Sequence, residues 1–407
     1  MNTDSYIRRY LKISLLNIAI VALLGTILRY KILYSLPFLD QKHIQHSHSH
    51  FAFAGWVTQT LMVLMVAYLS KQKNENKFID YRNLLIGNLL SAYGMLLAFP
   101  IQGYGFVSIT FSTLSVFVSY FFAVKYWKDL SSIKSHNTTH LWFKGALIFA
   151  VISSIGTFAL AYMMSNRIAH QNWYLASIYY YLHFQYNGWF FFACAGLLQS
   201  ILPAGIVHQH KKLSYIFWLF ASSCVPAYLL STLWMKMPSW LYGIVIIAAL
   251  MQVVAWYMFI QILLQHRQLL KDKFSSHGAW VLILSAMALS IKLILQIGST
   301  IPALGQWAFG FRSVVIAYLH LVLLGVISLF LLGFIFTEKH IKVTKLSTLG
   351  LWIFVAGVFL NEFILLLQGV ASIKYILVPY SNEALLATAL ILLSGALMLF
   401  ISKFRNE

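Results

Sequence analysis

Long runs of apolar residues, separated by short polar segments, dominate this sequence from end to end. A helix needs about 20 mostly apolar residues to cross the hydrocarbon core of a bilayer. By that measure the chain contains twelve spans, and the segments between them are too short to form a soluble domain. The predicted spans are 11–34, 50–70, 83–103, 105–127, 141–165, 175–200, 214–235, 240–265, 279–301, 313–337, 347–370 and 383–403. The pattern predicts an all-α polytopic membrane protein.

A short motif recurs at the start of spans 2, 6 and 10. Each copy places a histidine just inside an apolar span and a glycine five residues later. The histidines are His50, His183 and His320, separated by 133 and 137 residues, and the glycines are Gly55, Gly188 and Gly325. A fixed long period indicates repeated copies of one structural unit. We therefore expect one membrane domain over 1–407, built from three four-helix arcs of roughly 1–127, 128–265 and 266–407.

The composition and the distribution of charge support a membrane location. The chain is 60% hydrophobic and 10% charged, whereas soluble domains carry about 25% charged residues. Of the Lys and Arg residues, 21 lie on the side of the two termini and 7 on the opposite side. Because basic residues concentrate in cytoplasmic loops, we expect a bacterial inner-membrane protein with both termini in the cytoplasm. This asymmetry accounts for the net charge of +19 without a nucleic-acid partner.

The three repeated histidines are the first candidates for chemistry. Histidine within a span is rare and suggests function, and neutral imidazole ligates iron, copper and zinc. In the predicted topology all three spans start from the outer face, so the histidines lie at one depth, within about 10 Å of that face. We expect them to face one another around a haem or a metal; the alternative is hydrogen bonding between packed helices. The three glycines would allow either close packing of neighbouring helices or space for a flat macrocycle.

Further polar residues surround this predicted site. His46, His48 and His50 alternate at the entrance to span 2, where a helix would put His46 and His50 on one face and an extended segment would align all three. They fit an outward copper or zinc site, or, together with His43, a solvated loop. Tyr186 shares a helix face with His183 and would bind a ligand or simply pack.

Charged residues suggest two more roles. Arg29 and Arg312 lie on the predicted outer side, where they would neutralise haem propionates or anchor the interface. Glu362 and Lys292 are predicted near mid-membrane, as an ion pair or part of a proton path. With Asn361, they make a transporter an alternative function.

Twelve spans with histidines on spans 2, 6 and 10 resemble the haem–copper oxidase large subunit (cytochrome c oxidase subunit I-like), a family that includes nitric oxide reductases. The segment from Tyr318 through His320 to Gly325 is similar to that family's tenth helix. The resemblance implies that His50 and His320 ligate a b-type haem, and that His183 is a copper ligand near a tyrosine, Tyr186. Within the histidine cluster of span 2, His48 is the next ligand candidate after His50. It also implies a quinol or cytochrome electron donor.

Two departures from the family pattern limit the expected chemistry. Residues 214–235 contain no histidine where the family has a pair, and Tyr318 stands where the family has a second span-10 histidine. The expectation is therefore a haem protein for electron transfer or for binding NO or O2, without a complete oxygen-reducing centre. The rival hypotheses are a copper or other metal-handling membrane protein without haem, and a transporter.

Overall fold

The computed structural model describes residues 3–134, 137–274 and 276–402, and of residues 272, 276 and 306–309 it describes the backbone only. The described chain is helical and contains no β-strand. Twelve long helical segments, α1–α12, follow the predicted spans in order. They are Thr3–Leu33, Gln41–Lys73, Phe78–Gln102, Phe106–Ser131, Thr138–Ser165, 171–200, His210–Thr232, Ser239–Gln265, Ser276–Ser299, Arg312–Thr337, Lys345–Ile373 and Ser381–Phe400. The polytopic helical fold is thus confirmed.

Eleven of the helices in the described chain are long and apolar enough to cross a membrane. The segment outside that set is α6, which is comparable in length but carries His183, Gln185 and Asn187 among its aromatic residues. These polar side chains lower its hydropathy, so the twelfth membrane crossing stays a prediction. The terminal residues 1–2 and 403–407, to which the prediction of cytoplasmic ends refers, lie outside the described residues.

Helix α2 begins well before the apolar run that predicts it. Asp40 is its N-cap, and Asp40 Oδ1 accepts a hydrogen bond from the His43 backbone N–H at 2.8 Å. That hydrogen bond lowers the pKa of the Asp40 carboxyl below its ordinary value. Since the helix starts at Gln41, His43 and His46 lie in a helix and not in a loop, which was one of the two alternatives for them.

The chain divides into two compact units. The first consists of the described residues of Met1–Ile133, His277–Leu282 and Ser328–Glu407. Within it α1 packs on α2 and α12, and α11 packs closely on α12. A Cβ at Gly395 would lie 2.6 Å from the Phe354 backbone nitrogen, so glycine is needed for these two helices to approach. At one end, Asp129 binds Lys73 Nζ at 3.0 Å and Tyr81 Oη at 2.7 Å.

The second unit consists of the described residues of Lys134–Ser276 and Ile283–Ile327. Here α5 packs on α6, and α7 packs on α8. Trp142, 2% exposed, lies among Phe192, Phe217 and Phe220 with ring centroids 5.0–6.0 Å away. This aromatic core fixes α6 against α5 and α7, and α6 carries His183.

Candidate functional site

Each copy of the repeated motif contains a π-helical turn. The described residues contain three π-helices, Ala52–Thr58, Phe184–Phe190 and Leu321–Ser328, and each begins within two residues of a motif histidine. Each also contains the glycine of its motif. The π-helix is rare in proteins and occurs frequently at functional sites. The sequence repeat therefore has a conformational counterpart that apolar patterning alone did not predict.

Side chains from neighbouring helices hydrogen-bond to the carbonyls of the first π-helix. Asn17 Nδ2 on α1 donates to the Gly55 carbonyl at 2.6 Å, and Asn88 Nδ2 on α3 donates to the Ala54 carbonyl at 3.0 Å. Both asparagines are fully buried. Backbone polar groups at membrane depth must find partners within the protein. The two amides therefore stabilise the altered helical register.

The other two π-helices receive similar hydrogen bonds. The Cys224 thiol on α7 donates to the Asn187 carbonyl at 3.8 Å, and Ser285 Oγ on α9 donates to the Val326 carbonyl at 2.7 Å. In each case the donor belongs to another helix of the same unit. All three π-turns are therefore held by tertiary contacts.

The motif glycines lie in close contacts. A Cβ at Gly55 would lie 2.7 Å from the Phe51 ring, and one at Gly325 would lie 3.2 Å from Ala288 Cβ. At Gly188 the added carbon would lie 2.5 Å from Phe149 Cβ. A side chain already fills the space beside each glycine. This arrangement favours close packing over the alternative of room for a macrocycle.

The histidines near the start of α2 divide between two faces. His50 Nε2 lies 3.0 Å from Tyr104 Oη, and its ring stacks on Phe99 at 4.5 Å. His46 contacts the same Tyr104 ring edge-on at 4.6 Å. Because α2 is helical here, His46 and His50 share one face, as the helical alternative predicts.

His48 lies on another face of α2. Its Nδ1 donates to the Val21 carbonyl of α1 at 3.1 Å, and its ring lies against Gly25. His46, His48 and His50 therefore do not converge on one point. Across the residues that the structure describes, no three His, Cys, Asp or Glu side chains form a group that could hold a metal ion. The copper or zinc site that was one alternative for these histidines therefore has no support from the described side chains.

His183 bridges α6 and α7. It is 1% exposed, its Nε2 donates to the Cys224 carbonyl at 2.8 Å, and its Nδ1 accepts from Asn187 Nδ2 at 3.1 Å. Both ring nitrogens therefore have protein partners. In this orientation His183 presents no lone pair to copper. The geometry matches the alternative in which a buried histidine joins packed helices.

His320 is oriented differently from His183. It is half-buried, and its Nδ1–H donates to the Ile316 carbonyl at 2.9 Å. A neutral imidazole that donates through Nδ1 carries its lone pair on Nε2. Metal-ligating histidines show this same donation to a carbonyl, which fixes the tautomer and the direction of the ring. This hydrogen bond is compatible with a ligand role for His320.

The remaining candidates lie apart from these contacts. Tyr186 is buried, which favours its packing role. Arg29 is half-buried near the end of α1, and Arg312 is exposed at the first residue of α10. Among the described residues Lys292 has no ion pair, and Glu362 accepts a hydrogen bond from Asn361 Nδ2 at 3.1 Å.

Sequence reasoning missed the residues that support the π-turns. Asn17 and Asn88 are amides inside apolar spans, and polar residues at such positions form hydrogen bonds between helices in membranes. That signal was available in the sequence. His183 donates to a main-chain carbonyl, and a main-chain acceptor cannot be identified from the residue types in a sequence.

Models of known protein families and curated protein sequences were both compared with the chain. No family model matches it, and no curated protein matches it.

Proposed function

We propose that this protein is an integral membrane haem protein that transfers electrons or binds a diatomic gas such as NO or O2. It would resemble the haem–copper oxidase large subunit in arrangement and lack a complete oxygen-reducing centre. The single observation that carries the proposal is the coincidence of all three described π-helices with the three repeated histidines. A π-turn changes the direction of the side chains around it, and such turns occur frequently where a protein binds a ligand.

We take His320 on α10 and His48 or His50 on α2 as the candidate iron ligands. His320 donates through Nδ1 to a carbonyl, which leaves Nε2 as the nitrogen with the lone pair. His48 makes the same kind of hydrogen bond to Val21. His50, the second-span ligand that the resemblance implies, would have to exchange the Tyr104 hydroxyl for iron. A bound b-type haem would supply reversible one-electron chemistry, and a diatomic gas would bind its iron only in exchange for one of the two histidines.

Several residues would then act around the cofactor. Hydrogen bonds to Ile316 and Val21 orient His320 and His48, while Arg29 and Arg312 would bind propionate groups. The twelve helices would form three four-helix arcs around a pseudo-threefold axis. Both termini would lie in the cytoplasm. A quinol or a cytochrome would supply the electrons.

The geometry gives less support to copper. Both nitrogens of His183 are engaged, and residues 214–235 contribute a cysteine, Cys224, and no histidine. A metal-handling role without haem would need convergent ligands, and His46 and His48 lie on different faces of α2. We therefore propose a haem protein without oxygen reductase activity.

The test is the absorbance spectrum of purified variants. We expect His320→Ala to abolish or strongly shift the low-spin haem spectrum, because one axial ligand is lost. Comparing His48→Ala with His50→Ala identifies the second ligand. The control is His210→Ala, an exposed histidine at the start of α7, which should leave the spectrum unchanged. An unaltered haem spectrum in His320→Ala, or in the variant lacking both His48 and His50, would contradict the ligand assignment.

A further inference from the structure

Two exposed arginines lie at one end of the first unit. They are Arg9 on α1 and Arg82 on α3. The rings of Tyr10 on α1 and Phe78 on α3 stack with their centroids 5.9 Å apart, so the two helices meet here. Arg9 adjoins Tyr10 in sequence, and Arg82 follows Phe78 by about one helical turn. The charges of both guanidinium groups act on the Tyr10 hydroxyl, so both arginines lie near it.

Within the described residues, neither arginine has a counter-charge. No carboxylate forms an ion pair with Arg9 or with Arg82. Asp80, the nearest acidic residue to Arg82 along the chain, binds Lys77 Nζ at 3.2 Å instead. Two like charges repel, and the repulsion grows where water gives way to a medium of lower dielectric constant. An anion that binds both guanidinium groups would remove this repulsion.

Both arginines are predicted to lie at the level of the phospholipid headgroups. Arg9 precedes the predicted apolar span 11–34 by two residues, and Arg82 precedes the span 83–103 by one. Because an apolar span of this length fills the hydrocarbon core, the residues just before it reach the headgroup region. This is also the side with the excess of Lys and Arg, which we predict to be cytoplasmic. The ligand is therefore sought among the headgroups of that leaflet.

Apolar side chains continue from the two arginines towards the middle of the membrane. Ile86 and Leu90 follow Arg82 at intervals of four residues, so they share its face of α3, and they are 37% and 61% exposed. The partly exposed apolar residues that follow Arg9 along its face of α1 are Ile13, Leu16 and Ile20. The acyl chains of a phospholipid would lie along these two rows while its headgroup contacts the arginines.

We propose that Arg9 and Arg82 together bind the phosphate of one anionic phospholipid, whose acyl chains lie against α1 and α3. The planar guanidinium group pairs with two phosphate oxygens at once, which makes arginine the preferred side chain for such a contact. A headgroup without net charge would bring its own ammonium group towards the two arginines, so a lipid with net negative charge is favoured. The site uses no residue assigned above to haem, so it is independent of the proposed cofactor.

The test is native mass spectrometry of the purified full-length protein in a neutral detergent. Phosphatidylglycerol and phosphatidylcholine are titrated separately, and the apparent affinity for the first bound lipid is compared. We expect the wild type to prefer phosphatidylglycerol. In the variant that carries both Arg9→Gln and Arg82→Gln, the affinity for phosphatidylglycerol should fall by at least about tenfold, because charged hydrogen bonds are lost. The affinity for phosphatidylcholine should change little.

Two comparison variants separate this site from a general effect of charge. Lys128 on α4 and Lys345 on α11 are also exposed in the first unit and are predicted on the same side of the membrane. The variant with Lys128→Gln and Lys345→Gln loses the same charge and should bind phosphatidylglycerol as the wild type does. The variant with Arg9→Lys and Arg82→Lys keeps the charge and loses the planar groups, so its affinity should fall between those of the wild type and the glutamine variant.

A competition distinguishes a lipid headgroup from a soluble phosphate. Inorganic phosphate in excess should not displace phosphatidylglycerol, because it lacks the acyl chains that contact the apolar rows. Displacement by phosphate would overturn the lipid assignment. Equal losses of affinity in the lysine-to-glutamine control and in the arginine-to-glutamine variant would overturn the site itself.

Photocrosslinking locates the lipid on the wild-type protein and does not depend on how any variant folds. The probe is phosphatidylglycerol with a photoreactive group in one acyl chain, and the adducts are mapped by peptide mass spectrometry. We expect adducts within residues 9–20 of α1 or 82–90 of α3. The absence of adducts from both segments would contradict the proposal.

Discussion

Replacing Asn17 tests whether the first π-turn depends on tertiary hydrogen bonds. Asn17 is fully buried, donates to the Gly55 carbonyl at 2.6 Å and accepts from the Tyr93 hydroxyl at 2.7 Å. Asn17→Leu removes both bonds while keeping a side chain of similar size. The π-turn then loses the donor that α1 supplies, and the Tyr93 hydroxyl loses its acceptor.

The expected cost follows from these two bonds. Side-chain hydrogen bonds in membrane proteins contribute about 0.6 kcal/mol on average and up to about 1.7 kcal/mol each. Two lost bonds therefore predict a decrease in the free energy of unfolding of about 1–3 kcal/mol, measured by denaturing-detergent titration of the purified protein. Tyr93→Phe removes only one of the bonds, so its effect should be smaller. The double variant should cost little more than Asn17→Leu, because the residues share one network.

Ser14→Ala is the matched control. Ser14 lies one turn earlier on the same helix, is also fully buried, and its hydroxyl has no hydrogen-bond partner in the described structure. Removing that hydroxyl should not lower the free energy of unfolding, because no hydrogen bond is lost. The reasoning is refuted if Asn17→Leu is as stable as the wild type, or if Ser14→Ala costs as much as Asn17→Leu.

Three further predictions concern packing, topology and pH. Gly188→Ala should lower the thermal midpoint, because overpacking against Phe149 costs about 1–3 kcal/mol. The control is Gly243→Ala, whose Cβ would meet nothing within 4 Å and which should not lower the midpoint. Equal midpoints in the two variants would argue against the close contact at Gly188. A reporter fused at Asn76 should be active only in the cytoplasm, and activity outside the cell would reverse the topology. The hydrogen bond from His43 lowers the folded-state pKa of Asp40, so its stabilisation of α2 should be present above the unfolded pKa and be lost as the pH falls through the folded value. Hydrogen exchange of the backbone amides at the start of α2 measures this loss. In Asp40→Ala the exchange should no longer depend on pH in this way, and an unchanged pH dependence in that variant would assign the effect to another group.

The positions of the long helices could be predicted because the bilayer fixes the length of an apolar run. The predicted bounds were wrong where a helix extends beyond its apolar run. All of residues 41–49 except Ile44 are polar, yet they belong to α2 because Asp40 caps its N-terminus. A span can thus be read from hydropathy, whereas the full extent of its helix depends on capping chemistry as well.

The sequence repeat located the three π-turns without predicting their conformation. A π-turn at Gly55 depends on Asn17 and Asn88, which are distant in sequence and reach it only in the folded bundle. The same holds for His183, whose partners are a main-chain carbonyl and Asn187. The residue types of the repeat therefore mark the positions of the π-turns, whereas tertiary contacts determine the hydrogen-bond partners of each histidine.

The haem content of the purified protein tests the central claim most directly. The full-length chain would be produced in a host that makes haem, purified in mild detergent, and assayed by the pyridine haemochrome spectrum together with the reduced-minus-oxidised difference spectrum. The account predicts b-type haem at about one per chain, with low-spin bands from bis-histidine ligation. Folded, helical protein that contains no haem would contradict it.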